Sequence, residues 1–266
     1  MHLFQALLGV YAAVLGLIVG SYLNVVIYRL PRGISTVLPR SRCPECGAAI
    51  RALDNVPVFS FLLLGGRCRA CRERISWRYP LIEAATAALF AACFLRFGVS
   101  FEAPAAALFG SLMLALAVID FDHMILPDRL TYPAIALGIL LQPLLPWARL
   151  WDGPWGAWAG GALGALLGAG VLLAVWSAWY FVRHEEGMGL GDVKMLAAIG
   201  AFLGWKGTLV ALFCAALSGA AVGLALMARG SLDAKSKLPF GTFLALGGLV
   251  ALFAAEPLVR AYARLL

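Results

Sequence analysis

The sequence predicts an all-α polytopic membrane protein with about eight transmembrane helices and a small four-cysteine domain after the first helix. Of its 266 residues, 62% are hydrophobic and only 13% are charged, an apolar share well above that of an ordinary soluble domain. Long apolar segments recur along the chain between short polar stretches. Four of the six cysteines lie close together in one arginine-rich loop.

The first predicted span covers residues 4–27, which is longer than the ~20 apolar residues needed to cross a bilayer. No lysine or arginine precedes it, whereas Arg29 and Arg32 follow it. The positive-inside rule therefore places the N-terminus outside, and the segment is an uncleaved span because a signal peptide carries its positive charge first. Gly16 and Gly20 would allow a neighbouring helix to approach closely.

Seven further spans are predicted, at 80–97, 104–121, 130–147, 156–182, 193–206, 208–228 and 238–262. The chain then divides into a first transmembrane helix (1–30), a cysteine-rich domain (31–79) and a membrane-embedded core (80–266). The segment 193–206 is short for a bilayer, which indicates a tilted helix or a partial span beside a water-filled cavity. Gly160, Gly164 and Gly168 mark one close-packing face of the span 156–182.

Charge fixes the predicted orientation of these spans. Residues 31–79 contain nine arginines against three acids, so this loop is expected in the cytoplasm. Eight spans from an outside N-terminus then bring Asp120, at the end of the third span, and Asp192, at the start of the sixth, to the cytoplasmic boundary. The basic residues that give the net charge of +7 are explained by the orientation of the spans in a lipid bilayer. We therefore expect no nucleic-acid partner.

The stretch 187–194 reads Gly-Met-Gly-Leu-Gly-Asp-Val-Lys. Gly187, Gly189 and Gly191 predict a narrow entrance to an active site, free of side chains, directly before the start of a helix. Lys194 follows about one helical turn later. Asp192 would occupy the first helical turn, where helix capping also explains a carboxylate. A Rossmann nucleotide loop is excluded because no strand pattern precedes the glycines.

A second acidic stretch closes the third span with Asp120, Asp122 and Asp128. Since a helix turns ~100° per residue, Asp120 and Asp122 point about 200° apart. Asp120 is the deeper of the two, and an acid at membrane depth is a functional candidate by default. Asp122 and Asp128 are more simply explained as solvated turn and cap residues beside Pro127.

Asp120 and Asp192 are predicted to form a catalytic pair, because close carboxylates share a proton and can act as base and acid toward water and a carbonyl. The sequence contains no H-E-x-x-H and no G-x-S-x-G motif. Two other interpretations stay open: a non-enzymatic membrane scaffold with a zinc loop, and an ion-coupled transporter with both aspartates in its path. Acids near mid-membrane would suit a transporter better than acids at one boundary.

The cysteine-rich segment contains two C-x-x-C pairs, Cys43–Cys46 and Cys68–Cys71, separated by 21 residues. This spacing is marginally longer than usual for a four-cysteine zinc site. Four thiolates leave no position for water on tetrahedral zinc, so the predicted zinc is structural. The apolar residues 56–64 between the pairs are too short to span a bilayer and suit either the membrane interface or the core of the small domain.

Several ordered motifs together resemble the bacterial type IV prepilin leader peptidase/N-methyltransferase family, the GxGD-type membrane aspartic peptidases of type IV pilus and type II secretion systems. The motifs are Gly-Ser-Tyr-Leu-Asn-Val-Val-Ile-Tyr-Arg-Leu-Pro at 20–31, the two cysteine pairs, Arg-Tyr-Pro-Leu-Ile-Glu at 78–83, the acidic stretch 120–128, the glycine stretch 187–194, and Leu-Pro-Phe-Gly at 238–241.

This resemblance implies that Asp120 and Asp192 are the catalytic pair of a peptidase in the bacterial inner membrane. It implies cleavage of the basic leader of a prepilin or pseudopilin after a glycine, on the cytoplasmic side. It also implies N-methylation of the new N-terminus with S-adenosylmethionine, since the cysteine-bearing loop accompanies the bifunctional type. The residues show no cofactor loop. The acids in or near the loop that could shape such a site, or pair with arginines instead, are Glu45, Asp54, Glu73 and Glu83.

Overall fold

The computed structural model describes residues 2–150, 153–184, 188–230 and 238–264. Within these ranges the chain forms helices, and its only extended pairings are two isolated bridges in the cysteine-rich segment. The all-α prediction is confirmed, and six of the described helices are long and apolar enough to cross a membrane. The helices are α1 His2–Arg29, α2 Phe59–Leu63, α3 Arg78–Phe97, α4 Glu102–His123, α5 Asp128–Leu141, α6 Pro154–Arg183, α7 Leu190–Ala228 and α8 Phe240–Ala263.

The chain divides into two compact units, Met1–Ser111 and Leu112–Leu266, and the boundary falls inside α4. The predicted domain boundaries after residues 30 and 79 lie within the first unit and stay predictions.

In the first unit, α1 packs against α3 through two glycines of α1. A Cβ atom added at Gly16 would lie 2.6 Å from the Cα of Ala87, and one added at Gly20 would lie 2.7 Å from the Cα of Glu83. Neither glycine can carry a side chain without separating the two backbones. The predicted close approach at these two positions is confirmed.

The segment predicted as one span at 130–147 is shorter and more irregular than expected. Helix α5 ends at Leu141, and the chain continues through two 3₁₀ turns, Gln142–Leu144 and Pro146–Ala148. Each turn contains a proline near its start, and proline removes a backbone donor and clashes with the preceding helical turn. Two prolines only three positions apart therefore disfavour a regular helix through this segment.

The predicted spans 193–206 and 208–228 form one helical element, α7, with a break at Gly204. Gly204 has φ 66° and ψ −176°, which are not helical values. A glycine adopts this conformation without the steric cost that a Cβ atom would add. The break accounts for the short sixth span, because only residues 190–203 precede it.

Contacts at the two ends of α7 show that the chain reverses direction at this break. Leu126 lies against both Gly191 and Gly241, since a Cβ atom on either glycine would come within 2.9 Å of it. Phe243, two residues beyond Gly241, lies beside Gly219. In a straight helix, residues 191 and 219 would be about 42 Å apart. The two limbs of α7 therefore form a helical hairpin, and α7 accounts for two of the eight predicted segments.

The backbone carbonyl groups beside the reversal receive side-chain donors from the 3₁₀ turns. The Nε2 of Gln142, which is completely buried, donates to the carbonyl of Ala201. The Nε1 of Trp147 donates to the carbonyl of Phe202 at 3.2 Å. Carbonyl groups left without a partner inside an apolar bundle cost several kcal/mol each, so these bonds stabilise the reversal.

The glycine face of α6 packs directly on the first limb of α7. Gly164 meets the carbonyl group of Gly200, and a Cβ atom at Gly168 would lie 2.5 Å from the carbonyl oxygen of Leu196. Gly160 similarly faces the backbone of the 3₁₀ segment. The predicted packing face at these three positions is confirmed, and it holds the limb that carries Asp192.

We expect Gly168→Leu to destabilise the protein by about 2 kcal/mol or more, because the new side chain forces α6 and α7 apart. The measurement is the melting temperature of the purified protein in detergent. Gly170→Leu is the matched control, since Gly170 lies on the same helix with open space around it. Equal melting temperatures for the two variants would contradict this packing account.

Candidate active site

Asp120 lies in the last turn of α4 and is buried, with 4% of its surface exposed. Its Oδ2 atom accepts the backbone N–H of Thr242 at 2.8 Å and lies 3.3 Å from the Thr242 hydroxyl. Thr242 belongs to the first turn of α8, where backbone N–H groups have no partner within the helix and the helix dipole favours an anion. The N-terminus of α8 therefore holds the Asp120 carboxylate.

Gly241 allows α8 to approach this carboxylate. A Cβ atom at position 241 would lie 2.9 Å from the Oδ2 of Asp120 and 2.9 Å from a methyl group of Leu126. Gly241 and Thr242 were not predicted as site residues, although the motif at 238–241 contributed to the family resemblance. Pro239 followed by an apolar run was the available signal, because proline marks helix starts.

Asp192 lies in the first turn of α7 and is 8% exposed. Gly189 is the N-cap residue, its carbonyl accepts the N–H of Asp192 at 3.2 Å, and its own N–H interacts with the Asp192 carboxylate. The capping role considered from the sequence is therefore present.

The glycines of the predicted entrance differ in what they do. Gly191 packs against Leu126, where a Cβ atom would lie 2.9 Å from that side chain. Gly189 has φ −76° and ψ 144°, an extended conformation that other residues also adopt, and no side chain crowds it. Gly187 lies outside the described residues. Of the two described glycines of the entrance, Gly191 is the one at which a side chain would meet a close neighbour.

The structure brings the two predicted acids together. Leu126 lies against Gly191 on one side and Gly241 on the other; the first glycine precedes Asp192, and the second contacts Asp120. The two carboxyl groups are near enough for Asp120 to act electrostatically on Asp192. Asp122, by contrast, is exposed.

Lys194 forms a salt bridge beside this pair. Its Nζ lies 2.6 Å from the Oδ1 of Asp128 and 5.0 Å from the ring centroid of Tyr132. Asp128 and Tyr132 belong to the first turns of α5, so the contact fastens the start of α7 to the start of α5. Asp128 therefore forms an ion pair in addition to lying in the first turn of a helix.

The four predicted metal ligands, Cys43, Cys46, Cys68 and Cys71, form a compact cluster in the first unit. Their sulfur atoms all lie within 4.8 Å of one another, and the sulfurs of Cys43 and Cys71 are 3.9 Å apart. Tetrahedral zinc with bonds of ~2.3 Å places its sulfur ligands about 3.8 Å apart. The cluster therefore fits a zinc ion with four thiolate ligands.

Each C-x-x-C pair forms the same backbone loop. The N–H of the first cysteine in the pair donates to the carbonyl of the residue five positions later. The N–H of the residue four positions later donates to the carbonyl of the same first cysteine. These bonds join Cys43 to Ala48 and Gly47, and Cys68 to Glu73 and Arg72. The residue that donates to the carbonyl of the first cysteine has a left-handed backbone conformation in both loops, with φ 70° at Gly47 and 63° at Arg72.

Backbone groups already favour a thiolate at this centre. The N–H groups of Cys71 and Ala70 lower the pKa of Cys68 to about 7. Although the backbone at Glu73 acts in the opposite direction, burial and hydrogen bonds with neighbouring thiols such as Cys46 raise the pKa of Cys71 to about 12. Without a cation, Cys68 therefore loses its proton more readily than Cys71, whereas bound zinc would hold all four sulfurs as thiolates.

Two of the four acids considered for a methyl-donor site have structural partners. Arg69 donates to both carboxylate oxygens of Asp54 at 2.7 to 3.0 Å, and this bonding lowers the pKa of Asp54. Glu83 accepts the backbone N–H of Val58 at 2.7 Å. Glu45 and Glu73 are exposed. The alternative prediction, that these acids pair with arginines, is confirmed for Asp54.

Two family models match successive parts of this chain. Residues 14–97 match the family described as Bacterial Peptidase A24 N-terminal domain, and residues 107–224 match the Type IV leader peptidase family. A prepilin leader peptidase/N-methyltransferase of Burkholderia pseudomallei (strain 1026b) is 40% identical over 275 residues, covering 93% of this chain and 85% of its own.

Proteins of the same name from Stutzerimonas stutzeri and Pseudomonas aeruginosa are 37% and 36% identical. They cover 94% and 93% of this chain, and 92% and 91% of their own lengths. No solved structure gives a significant match. Because these relatives match nearly the whole chain and both parts of it match the corresponding domain families, this chain belongs to the type IV leader peptidase family.

Proposed function

We propose that this chain cleaves the leader peptides of type IV prepilins or pseudopilins and that Asp120 and Asp192 carry out the hydrolysis. The observation that carries the proposal is the meeting of two buried carboxyl groups, one ending α4 and one beginning α7, around Leu126. Buried acids at membrane depth are costly and are retained for function. The relatives are named as enzymes, which leaves the scaffold and transporter interpretations without support.

The proposed chemistry uses the two aspartates as a unit. Two neighbouring carboxyl groups cannot both ionise cheaply, so the pair holds one proton. The ionised member takes a proton from water as the water oxygen attacks the scissile carbonyl, and the protonated member gives its proton to the carbonyl oxygen. When the tetrahedral gem-diol intermediate collapses, the C–N bond breaks and the protonated carboxyl group gives its proton to the leaving amine. The ionised carboxylate takes a proton from one hydroxyl of the intermediate as the new carbonyl forms, so the pair again holds one proton. The titration belongs to the pair rather than to either residue.

The residues around the pair support this role in different ways. Gly241 and Thr242 hold Asp120, and the Lys194–Asp128 salt bridge fastens the helix start that carries Asp192. In the proposed substrate path, the uncrowded Gly189 leaves room for the extended backbone of the leader junction to reach the carboxyl groups, and Gly191 lets Leu126 pack beside them. Gly187, which lies outside the described residues, stays a predicted member of this entrance.

The proposed location is the bacterial inner membrane, with the active site and the cysteine-rich loop facing the cytoplasm. The nine arginines within residues 31–79 support this orientation. The hairpin in α7 supports it too, because it returns the end of α7 to the side where α7 begins, and Arg229 follows that end.

The relatives are also named as N-methyltransferases. We propose that this chain methylates the N-terminus that cleavage exposes. S-adenosylmethionine, when bound, would supply an electrophilic methyl group to the neutral amine.

We propose that zinc at the four cysteines has a structural role. Cys43, Cys46, Cys68 and Cys71 would fill all four positions of a tetrahedral ion and leave none for water or substrate. The ion would then fasten the two C-x-x-C loops together in a segment that has little other regular structure.

Replacing either catalytic aspartate should abolish leader cleavage. We expect Asp120→Asn and Asp192→Asn each to lower the rate by at least about 100-fold, because each removes one member of the acid–base pair. The measurement is the size shift of a prepilin co-expressed in membranes. Asp122→Asn, at an exposed position two residues away, should retain cleavage; full cleavage by Asp192→Asn would refute the pair.

The glycine at the start of α8 should be required for cleavage but not for insertion. In Gly241→Ala, the new methyl group meets the Asp120 carboxylate and Leu126, and we expect the cleavage rate to fall about tenfold or more, as for other misplaced catalytic groups. Gly219→Ala is the control, because its added methyl group makes only ordinary contact with Phe243. Equal cleavage rates for the two variants, at equal amounts of protein in the membrane, would show that the close approach of α8 is unimportant.

Loss of one cysteine ligand should release the metal. We expect Cys43→Ser to lower zinc below one ion per chain and to increase proteolysis within residues 31–79, since three ligands no longer close the site. Elemental analysis of the purified protein gives the zinc content. Cys214→Ser, in the second limb of α7, should leave it unchanged, and the account fails if both variants retain the same zinc.

A further inference from the structure

An open cleft of about 440 Å³ lies in the cysteine-rich segment of the first unit. Its apolar walls include Phe61, Leu62, Ile75 and Trp77. Phe61 is buried and meets the Trp77 ring edge to face at a centroid distance of 4.8 Å, whereas 67% of Trp77 is exposed. A cleft of this size lies within the range of small-ligand sites, and its aromatic wall is already formed.

Two exposed arginines, Arg67 and Arg74, also line this cleft. They are paired directly across an isolated antiparallel bridge, an arrangement in which like charges repel. The equivalent bridge of the first cysteine loop pairs Arg42 with Ala49 instead. An anion between two guanidinium groups would remove the repulsion and accept charge-assisted hydrogen bonds from both.

The cleft lies next to a membrane-spanning helix. Trp77 immediately precedes α3, one of the helices long and apolar enough to span the bilayer. Helix α2 buries Phe61 but exposes Phe59, Leu62 and Leu63, with 87% of Leu63 accessible. Exposed apolar side chains beside tryptophan and arginine are typical of segments that lie in the headgroup layer. Residues 56–64 were predicted to lie either at the membrane interface or in the core of the small domain. One face of this segment is buried in that core and the other is exposed, so the segment suits both locations.

We propose that this cleft binds the phosphate headgroup of an anionic phospholipid, with Arg67 and Arg74 on the phosphate and Leu62, Leu63 and Trp77 at the boundary with the acyl chains. The charge argues against the methyl donor as occupant, because S-adenosylmethionine carries a sulfonium cation and the lining residues provide two cations and no carboxylate. The proposal does not depend on the assignment of the catalytic aspartates.

The test compares lipid binding by full-length variants. The purified protein in detergent is titrated with phosphatidylglycerol or phosphatidylcholine, and bound lipid is counted by native mass spectrometry. We expect the wild-type protein to prefer phosphatidylglycerol, and Arg74→Gln to weaken that binding about fivefold, the effect of one basic residue near an anionic lipid surface. Arg40→Gln, which changes an exposed arginine of the same segment outside the cleft, should leave the preference intact.

Zinc content shows whether each variant keeps the folded cysteine loops. Should Arg74→Gln lose zinc, Leu63→Glu replaces it, since this side chain is almost fully exposed and a negative charge beside the cleft should weaken phosphatidylglycerol binding equally. Equal binding by wild type, the cleft variant and Arg40→Gln would overturn the proposal. So would arginine-dependent binding of inorganic phosphate or S-adenosylmethionine without any preference for the anionic lipid.

Discussion

Burial of a carboxylate inside an apolar helical bundle is the constraint on which the second unit depends. Removing an ionised group from water is expensive unless donors meet it, and here the donors are backbone N–H groups of α8 directed at Asp120. These groups lack helical partners in any case, so one contact satisfies both the acid and the helix end. Residue 241 must then be glycine, and α8 must begin where α4 ends.

The same demand for close backbone contact recurs where Asp192 is placed. Gly191 meets Leu126, and Gly164 and Gly168 hold the first limb of α7 against α6. Small residues at such contacts allow helices in a membrane to gain packing energy that lipid cannot provide. The positions of both acids therefore depend mainly on backbones in contact, with few flexible side chains between them. This arrangement suits a reaction that requires fixed geometry.

Much of the fold could be predicted because hydrophobic length, charge bias and glycine spacing are local properties of the sequence. They identified the helical segments, the packing faces and the two acids that meet. The 3₁₀ turns after Leu141 were missed because apolar composition alone does not distinguish a span from two turns, although the prolines at 143 and 146 signalled the break. Thr242 was missed because its partner lies 122 positions away, and no local pattern reveals which carboxylate a helix N-terminus will meet.

The reversal at Gly204 also makes two parts of the second unit depend on each other. The first limb of α7, residues 190–203, is about 21 Å long, which is shorter than the ~30 Å thickness of the hydrocarbon layer. The reversal must therefore lie within the hydrocarbon layer. Its carbonyl groups accept hydrogen bonds from Gln142 and Trp147 of the 3₁₀ segment and, at Gly204, from the Thr208 hydroxyl at 2.8 Å. The hairpin and the 3₁₀ segment at residues 142–148 therefore stabilise each other, so that a change in those turns also affects the limb that carries Asp192.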